Sequence, residues 1–319
     1  MVQGGSGKRV LLFGATGTAG EAAGRALVRA GHDVVRVVRP GREAVPFAGE
    51  TRVAEVSEAG AVMREGGFDA VVSCLASRTG APRDTWAVDH DANLSLLRAA
   101  EAAGVGQFVL LSAICVQKPL LAFQRAKLAF EERLMASELT WSIVRPTAFF
   151  KSLSGQIARV QAGKPFLVFG DGRLTACKPI SDDDLGDFIT SCLADPDRQG
   201  RILPIGGPGP ALTPLDQGRL LFEAAGRPAR FRHVPVAMMD AIGGVARGLG
   251  LVSQRWADKA EFVRIGRYYA TESMLVWDNG AGRYDADATP EFGHETLCAF
   301  YRDVIAGRRQ VQLGDHAVF

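Results

Sequence analysis

The segment GATGTAG, which begins at Gly14, constrains the fold of this chain more than any other stretch. Its glycines, Gly14, Gly17 and Gly20, follow an apolar run at residues 10–13 and precede an alanine-rich stretch at 21–30. Between a strand and a helix, such a turn lets the backbone approach a pyrophosphate, whose charge is met by N–H groups at the helix N-terminus. The turn therefore predicts a dinucleotide site that includes Gly14, Ala15, Thr16, Gly17 and Thr18. The alternative is a glycine turn that binds nothing.

Apolar runs alternate with helical stretches as far as residue 145. The runs show little polar alternation, which is typical of strands buried on both faces, and the stretches between them suit parallel crossovers. The predicted strands are 10–13, 34–38, 52–56, 70–74, 108–112 and 141–144, and the helices between them include 21–30, 93–103 and 123–136. We expect an α/β fold with a doubly wound parallel Rossmann sheet.

The regular alternation stops after Pro146. We expect residues 1–150 to form an NADP-binding Rossmann domain, with 181–205 packed on it, and residues 151–180 and 206–319 to form a smaller, mostly helical substrate lobe. Glycine and proline concentrate at 204–214, which predicts a structured connection. Helices are predicted at 214–225, 236–248, 255–269 and 295–306. The stretch 236–252 predicts either a helix packed on the main domain or a surface that contacts a membrane or an apolar ligand.

Composition excludes several classes of function. The net charge of +2 over 319 residues and the absence of like-charge runs disfavour nucleic acid as a partner. The nearly uncharged stretch 108–116 is too short to span a bilayer. Five cysteines without a CxxC pair indicate neither a disulfide framework nor a metal site. The N-terminus resembles neither a signal nor a transit peptide, so we expect a bacterial protein of the cytoplasm, either free or in peripheral contact with a membrane. Oligomeric state stays open.

The residue at the end of the second strand selects the dinucleotide in this fold. Here it is Arg39, flanked by Arg36 and Arg42. An arginine offers a fork of donors to the additional phosphate of NADP, where NAD-binding chains carry an acid. Arg39 therefore favours NADPH as the cofactor. Cys74, Leu75 and Ala76, after the fourth strand, and Pro146, after the sixth, complete the predicted cofactor site.

The GxxGxxG spacing resembles the extended and atypical short-chain dehydrogenase/reductase families, which usually carry a YxxxK pair. The matching segment here is Phe123-Gln124-Arg125-Ala126-Lys127, after the fifth strand and Ser112. Lys127 is retained as the predicted catalytic residue and cofactor anchor near the nicotinamide ribose. Phe123 has no proton to donate, which disfavours carbonyl chemistry. Two explanations of this phenylalanine remain. The protein is either a nucleotide sensor that catalyses no reaction, or a reductase that acts on a carbon–carbon double bond.

Five longer stretches, 112–127, 144–156, 169–189, 203–214 and 268–278, resemble the divinyl chlorophyllide 8-vinyl reductases, a family of NADPH-dependent atypical short-chain dehydrogenase/reductases. The resemblance covers nearly the whole chain, and the family carries the same phenylalanine. It implies an oxidoreductase of chlorophyll or bacteriochlorophyll biosynthesis in photosynthetic organisms. The implied substrate is a magnesium chlorin whose 8-vinyl group becomes ethyl. A reductase of a smaller alkene or quinone is a further alternative.

Residue type alone suggests several substrate-side candidates in the second lobe. A flat macrocycle needs a wide apolar slot, for which Phe149, Phe150, residues 236–239 and Trp256 provide either walls or ordinary core. A ring propionate would pair with Lys151 or Lys178, and His233 would approach the magnesium. His90 is either a packing residue or a proton donor. The acidic run from Asp182 to Asp184 is interpreted as the start of a helix capped by Ser181 or an aspartate.

Overall fold

The computed structural model describes residues 7–41, 46–250 and 253–311. Its helices are α1 (Thr18–Arg29), α2 (Ala59–Gly66), α3 (Pro82–Thr85), α4 (Asn93–Ala102), α5 (Ala122–Met135), α6 (Ile157–Gln161), α7 (Asp182–Ser191), α8 (Pro214–Ala224), α9 (Val236–Gly250), α10 (Gln254–Thr271) and α11 (Leu297–Ile305). Its strands are β1 (Arg9–Phe13), β2 (Asp33–Val38), β3 (Glu50–Val53), β4 (Ala70–Ser73), β5 (Gln107–Leu111), β6 (Thr140–Pro146), β7 (Phe166–Phe169), β8 (Arg201–Ile205), β9 (Phe231–Val234), β10 (Val276–Asp278) and β11 (Arg283–Asp285).

Seven parallel strands form the main sheet in the order β3-β2-β1-β4-β5-β6-β8. Alternate residues of the strands point to opposite faces. Leu12, Val34 and Val72 pack with α1 and α7 on one face, whereas Leu11, Val35 and Val71 pack with α2, α4 and α5 on the other. Burial on both faces is why the central strands are largely apolar. The doubly wound parallel sheet predicted from the sequence is confirmed.

Two features of the sheet differ from the prediction. The third strand ends at Val53, and Val56 begins a short helical turn instead of continuing the strand. The Glu58 carboxylate stabilises this turn by accepting the Glu55 N–H at 2.7 Å. The strand β8, which was not predicted, pairs with β6 at the sheet edge. An edge position accommodates Pro204, which has no N–H to donate to a neighbouring strand.

The remainder of the chain builds a second core. Its side chains come from α6, α8, α11 and β7, with Phe150, Phe222 and Tyr301 nearly inaccessible. Strands β7 and β9 pair in parallel, and β10 and β11 form a short antiparallel ribbon. The helices predicted at 214–225, 236–248, 255–269 and 295–306 are confirmed with end shifts of a few residues. The boundary between the two lobes stays a prediction.

Helix α9 packs along α10 as a helical hairpin. Several large apolar side chains of this hairpin are exposed, among them Met238, Ile242, Trp256 and Phe262. The principal neighbour of α9 is therefore α10, whereas one of the two predictions had α9 packed on the main domain. Among the described helices, none combines the length and apolarity needed to cross a membrane.

Candidate functional site

The glycine turn after β1 is so tight that two of its glycines leave no room for a side chain. Gly14 has a φ of +73°, and a Cβ there would lie 2.4 Å from the carbonyl oxygen of Cys74. A Cβ on Gly20 would lie 2.1 Å from the carbonyl oxygen of Gly14. The turn thereby holds the end of β1 against the end of β4, and α1 against the turn itself. Close backbone approach of this kind is what a dinucleotide-binding turn requires.

The first turn of α1 suits an anion. Its N-cap residue, Gly17, makes no side-chain capping hydrogen bond, so the positive end of the helix keeps unsatisfied N–H donors. The Lys151 ammonium donates to the Thr18 hydroxyl at 2.8 Å and adds a positive charge beside these donors. The glycine cradle, the uncapped helix end and Lys151 fit a pyrophosphate. Lys151, suggested by the sequence as a propionate partner, thus lies at the predicted cofactor turn.

The structure describes two of the three arginines around the end of β2, and they differ in exposure. Arg36 is buried, donates to the Thr51 hydroxyl at 2.8 Å and lies over the ring of Phe47. Arg42 lies outside the described residues. Arg39 follows β2 directly and is exposed, as a residue that binds the phosphate of NADP would need to be. Its role as the phosphate-binding residue stays a prediction.

The other predicted cofactor residues lie at the carboxyl edge of the same sheet. Cys74, Leu75 and Ala76 follow β4 directly, and Pro146 ends β6. Cys74 and Leu75 are half-buried and Ala76 is exposed. Burial raises the pKa of the Cys74 thiol to about 12, so this thiol is protonated near neutral pH. A protonated thiol is a poor nucleophile, so Cys74 does not have the character of a reactive cysteine.

Lys127 lies on α5 with its ammonium 2.9 Å from the Oδ1 atom of Asp89. Both side chains are nearly inaccessible. The second carboxylate oxygen of Asp89 accepts the N–H of Ser77 at 3.4 Å, just beyond the predicted cofactor segment. The ion pair thus connects α5 with the loop after β4. Sequence reasoning missed Asp89 as the partner of Lys127, because the two residues are far apart in the chain.

Phe123 and Ser112 lie near Lys127 in the sequence but provide no free proton donor. The half-buried Phe123 ring packs into an apolar cluster with Cys115 and Tyr268. The Ser112 hydroxyl donates to Glu131 at 2.5 Å, and Glu131 also pairs with Arg145. Ser112 is therefore committed to a buried polar network.

Most candidates named for the substrate side have other partners. Phe150 is buried in the core of the second lobe, and Phe149 packs partly against the main core. Lys178 is buried, with its ammonium 2.6 Å from Glu291. His233 is exposed with Nδ1 2.9 Å from the carbonyl oxygen of Gly170. Phe150 is therefore ordinary core, one of the two roles expected of it, whereas Lys178 forms a structural ion pair instead of the suggested propionate bond.

Two further candidates have mainly local partners. Nδ1 of His90 lies 2.7 Å from the carboxylate of Asp91, and its ring meets that of Trp86 edge-on. The Ser181 hydroxyl accepts the N–H of Asp184 at 3.0 Å, which confirms Ser181 as the N-cap of α7. Ser181 is therefore the cap, and the three acids occupy the first turn of α7, as expected.

The fold and the site define a class of protein, namely the NAD(P)H-binding Rossmann proteins. A family model described as NAD(P)H-binding matches residues 14–196, which include the glycine turn and Lys127. A UDP-glucose-4-epimerase from Stenotrophomonas maltophila with bound NAD has the same fold, with a TM-score of 0.67 and 19% identity over 94% of this chain and 97% of that one. NAD(P)H binding, predicted from the glycine turn, is confirmed at the level of the family.

Comparison with curated relatives identifies the family more narrowly. The chain is 50% identical to a divinyl chlorophyllide a 8-vinyl-reductase of Oryza sativa subsp. indica, over 97% of this chain and 82% of the relative. It is 47% identical to the protein of the same name from Zea mays, over the same shares of the two chains. Both relatives are described as chloroplastic. The chain belongs to the divinyl chlorophyllide a 8-vinyl-reductase family, and the resemblance seen in the sequence is confirmed.

Proposed function

We propose that this protein reduces the 8-vinyl group of divinyl chlorophyllide, or of divinyl protochlorophyllide, to an ethyl group with NADPH as the reductant. The observation that carries the proposal is family membership over nearly the whole chain, second lobe included. Likeness confined to the nucleotide-binding lobe would support a cofactor only. Likeness that extends through the second lobe supports a shared substrate as well.

The residues at the carboxyl edge of the sheet support this chemistry. NADPH, when bound, supplies a hydride. The uncapped start of α1 and Lys151 would balance the charge of its pyrophosphate. Asp89 pairs with the ammonium of Lys127, which would hold the nicotinamide ribose. Phe123, which lies four residues before Lys127, agrees with a substrate that has no oxygen to protonate. The exposed Arg39 supports a preference for NADPH over NADH.

The test is incubation of the purified protein with divinyl chlorophyllide and NADPH, followed by chromatographic separation of the pigments. A monovinyl product with matching loss of NADPH absorbance is expected. A matched reaction without NADPH should leave the divinyl pigment unchanged. Absence of monovinyl product, in an assay where a known reductase works, would overturn the proposal.

Two alternatives give different results in the same experiment. A non-catalytic NADP sensor of the same fold binds the nucleotide but forms no product. A reductase of a smaller alkene or quinone oxidises NADPH with its own substrate, but it does not shift the absorption band of a chlorin. The pigment-binding spectrum and the product analysis together separate all three functions.

The cellular setting is also part of the proposal. We infer a role in chlorophyll or bacteriochlorophyll synthesis at the cytoplasmic face of a photosynthetic membrane, where an apolar pigment accumulates. The exposed Met238, Ile242 and Phe262 of the α9–α10 hairpin support peripheral contact with such a membrane. Co-sedimentation with lipid vesicles tests this point, and a protein that stays in the supernatant at all vesicle concentrations would refute it.

A further inference from the structure

A widened helical turn joins α3 to α4. Residues Trp86–Ala92 form a π-helical turn, in which the backbone hydrogen bonds span one residue more than in an α-helix. Such turns are rare in proteins and are frequently found at functional sites. The middle of this turn carries Asp89, whose side chain is buried. A buried carboxylate is costly unless it is paired, so the turn places Asp89 where it requires a partner.

Asn93, the first residue of α4, stabilises the widened turn. Its side-chain Nδ2 donates to the carbonyl oxygens of Val88 and Asp89, both at 3.2 Å. Its Oδ1 atom accepts the hydroxyl of Ser73 at 2.5 Å. Ser73 is the last residue of β4, and both Ser73 and Asn93 are buried. The end of β4 is therefore tied to the turn that carries Asp89.

The carboxylate of Asp89 connects this turn with two further segments. Its Oδ1 atom lies 2.9 Å from the ammonium of Lys127 on α5, and its other oxygen accepts the N–H of Ser77 at 3.4 Å. Ser73 and Ser77 lie on either side of the predicted cofactor segment at 74–76. The turn thus holds both ends of this segment and the lysine in one fixed arrangement.

Asp89 lies behind Lys127 as seen from the surface. The side chain of Asp89 is 1% exposed, whereas that of Lys127 is 11% exposed. A lysine ammonium carries three N–H donors, so the pair with Asp89 leaves donors for the hydroxyl groups of a ligand. Without Asp89, the ammonium would end a flexible four-carbon stem, and ordering that stem on binding costs affinity. Asp89 therefore acts on a ligand through Lys127.

We propose that Ser73, Asp89 and Asn93, together called the bracket, position Lys127 for the nicotinamide half of NADPH. The proposal rests on NADPH as the reductant in the function proposed above. Asp89 is the positioning residue, and the other two members hold it in place. The bracket lies at the ends of β4 and of the loop that follows it, whereas the glycine turn and Arg39 lie at β1 and β2. Loss of the bracket should therefore affect the nicotinamide half of the cofactor and spare the adenosine half.

The test compares the binding of NADPH with that of adenosine 2′,5′-bisphosphate, which lacks the nicotinamide and its ribose. Asp89→Asn keeps the size of the side chain and removes its charge. Ordering a freed lysine weakens binding by about tenfold at most, so we expect Asp89→Asn to lower NADPH affinity by about three- to tenfold. Its affinity for the bisphosphate should match that of the wild type. Ser73→Ala, which removes only the hydroxyl that holds Asn93, should show the same selectivity with a smaller loss.

Glu131→Gln is the matched control. Glu131 is buried one helical turn after Lys127 on α5 and pairs with Arg145 of β6. Its replacement also removes one charge of a buried ion pair on this helix, but the partner lies on β6 and not in the bracket. We expect a lower Tm for Glu131→Gln and wild-type affinities for both nucleotides. Isothermal titration and thermal unfolding make the comparison.

The outcomes separate positioning from a general effect on the fold. Equal losses of affinity for NADPH and the bisphosphate in Asp89→Asn would overturn the proposal, and so would an unchanged affinity for NADPH. A selective loss of NADPH in Glu131→Gln would also overturn it, because the effect would not be specific to the bracket. If Asp89→Asn does not fold, Ser73→Ala, which keeps the ion pair, decides by the same criterion. A wild type that binds NADPH but forms no monovinyl pigment overturns the proposed function alone.

Discussion

Replacement of Gly20 by alanine tests the geometry of the cofactor turn, because two physical effects predict opposite signs. Gly20 is the third residue of α1, and alanine is about 1 kcal/mol more favourable than glycine in a helix. Helix propensity alone therefore predicts stabilisation. In the structure, however, the new Cβ would lie 2.1 Å from the carbonyl oxygen of Gly14 and 3.0 Å from the Cα atom of Ala15, both of which are backbone.

The magnitude follows from these distances. A carbon and a carbonyl oxygen rarely approach closer than about 3.3 Å, so α1 and the turn must separate by roughly 1 Å. Overpacking of this kind costs about 1–3 kcal/mol, and backbone atoms relax less than side-chain ends. After the gain in helix propensity, we expect net destabilisation of about 1–2 kcal/mol, or a Tm roughly 2–8 °C lower. The displaced N–H groups should also weaken NADPH binding by tenfold or more.

Gly17→Ala is the matched control from the same turn. A Cβ there would have its nearest contact at 3.4 Å, and Gly17 has an ordinary φ of −87°. We expect this variant to lose less than about 1 kcal/mol, the usual difference between glycine and alanine at an N-cap. Thermal unfolding and NADPH titration of both variants make the comparison. A Gly20→Ala protein as stable as the wild type, with unchanged NADPH affinity, would refute the close approach of α1 to the turn.

Three further predictions concern charged side chains. Arg39→Ala should weaken the binding of NADPH by about tenfold or more and the binding of NADH little, because a charge-assisted hydrogen bond contributes about 1.5–3 kcal/mol. Equal losses of affinity in titrations with the two nucleotides would show that Arg39 does not bind the phosphate. Lys127→Ala should abolish turnover and destabilise the fold by about 3–5 kcal/mol, because it leaves Asp89 unpaired; adding Asp89→Asn should restore stability in denaturant unfolding but not turnover. Burial raises the pKa of Asp182 to about 6 from 3.8, so its contribution to stability is full below about pH 4 and is lost as the pH rises through 6. Asp182→Asn should therefore stabilise the fold by about 1–3 kcal/mol at pH 7.5 but not at pH 4, and an equal effect at both pH values would contradict the assignment.

The main sheet could be predicted because its strands are buried on both faces. Runs such as Val10–Phe13 and Val71–Val72 are apolar throughout, a pattern that is typical of strands buried on both faces. Prediction of the strands is less accurate where a strand is not buried on both faces. The strand β3 is largely exposed, and its end was predicted at Val56 although it lies at Val53. The edge strand β8 contains Pro204, which resembles a connection in sequence and is acceptable only because no further strand pairs beyond it.

The site could be predicted where residues follow a strand directly, and only partly elsewhere. Arg39 and Cys74 lie at the ends of β2 and β4, so topology alone places them at the cofactor edge. Lys151 also lies shortly after a strand, β6, but residue type had suggested a substrate role. Its bond to Thr18 crosses 133 residues and depends on how the loop after β6 folds back over α1. Contacts of this kind have no local signal in a single sequence.

The phenylalanine at position 123 agrees with a substrate that takes both the hydride and the proton on carbon. In a carbonyl substrate the hydride goes to carbon and the proton to oxygen, and a tyrosine one helical turn before Lys127 would serve that oxygen. A vinyl group takes both on carbon, so a donor in that place would face no acceptor, and Phe123 fills the space with apolar surface. Helix α10 packs beside this apolar surface: Ile265 and Tyr268 belong to the same apolar cluster as Phe123, and the Glu261 carboxylate accepts the N–H of Ala122 at the start of α5. The proposed vinyl substrate would therefore meet apolar side chains from both α5 and α10.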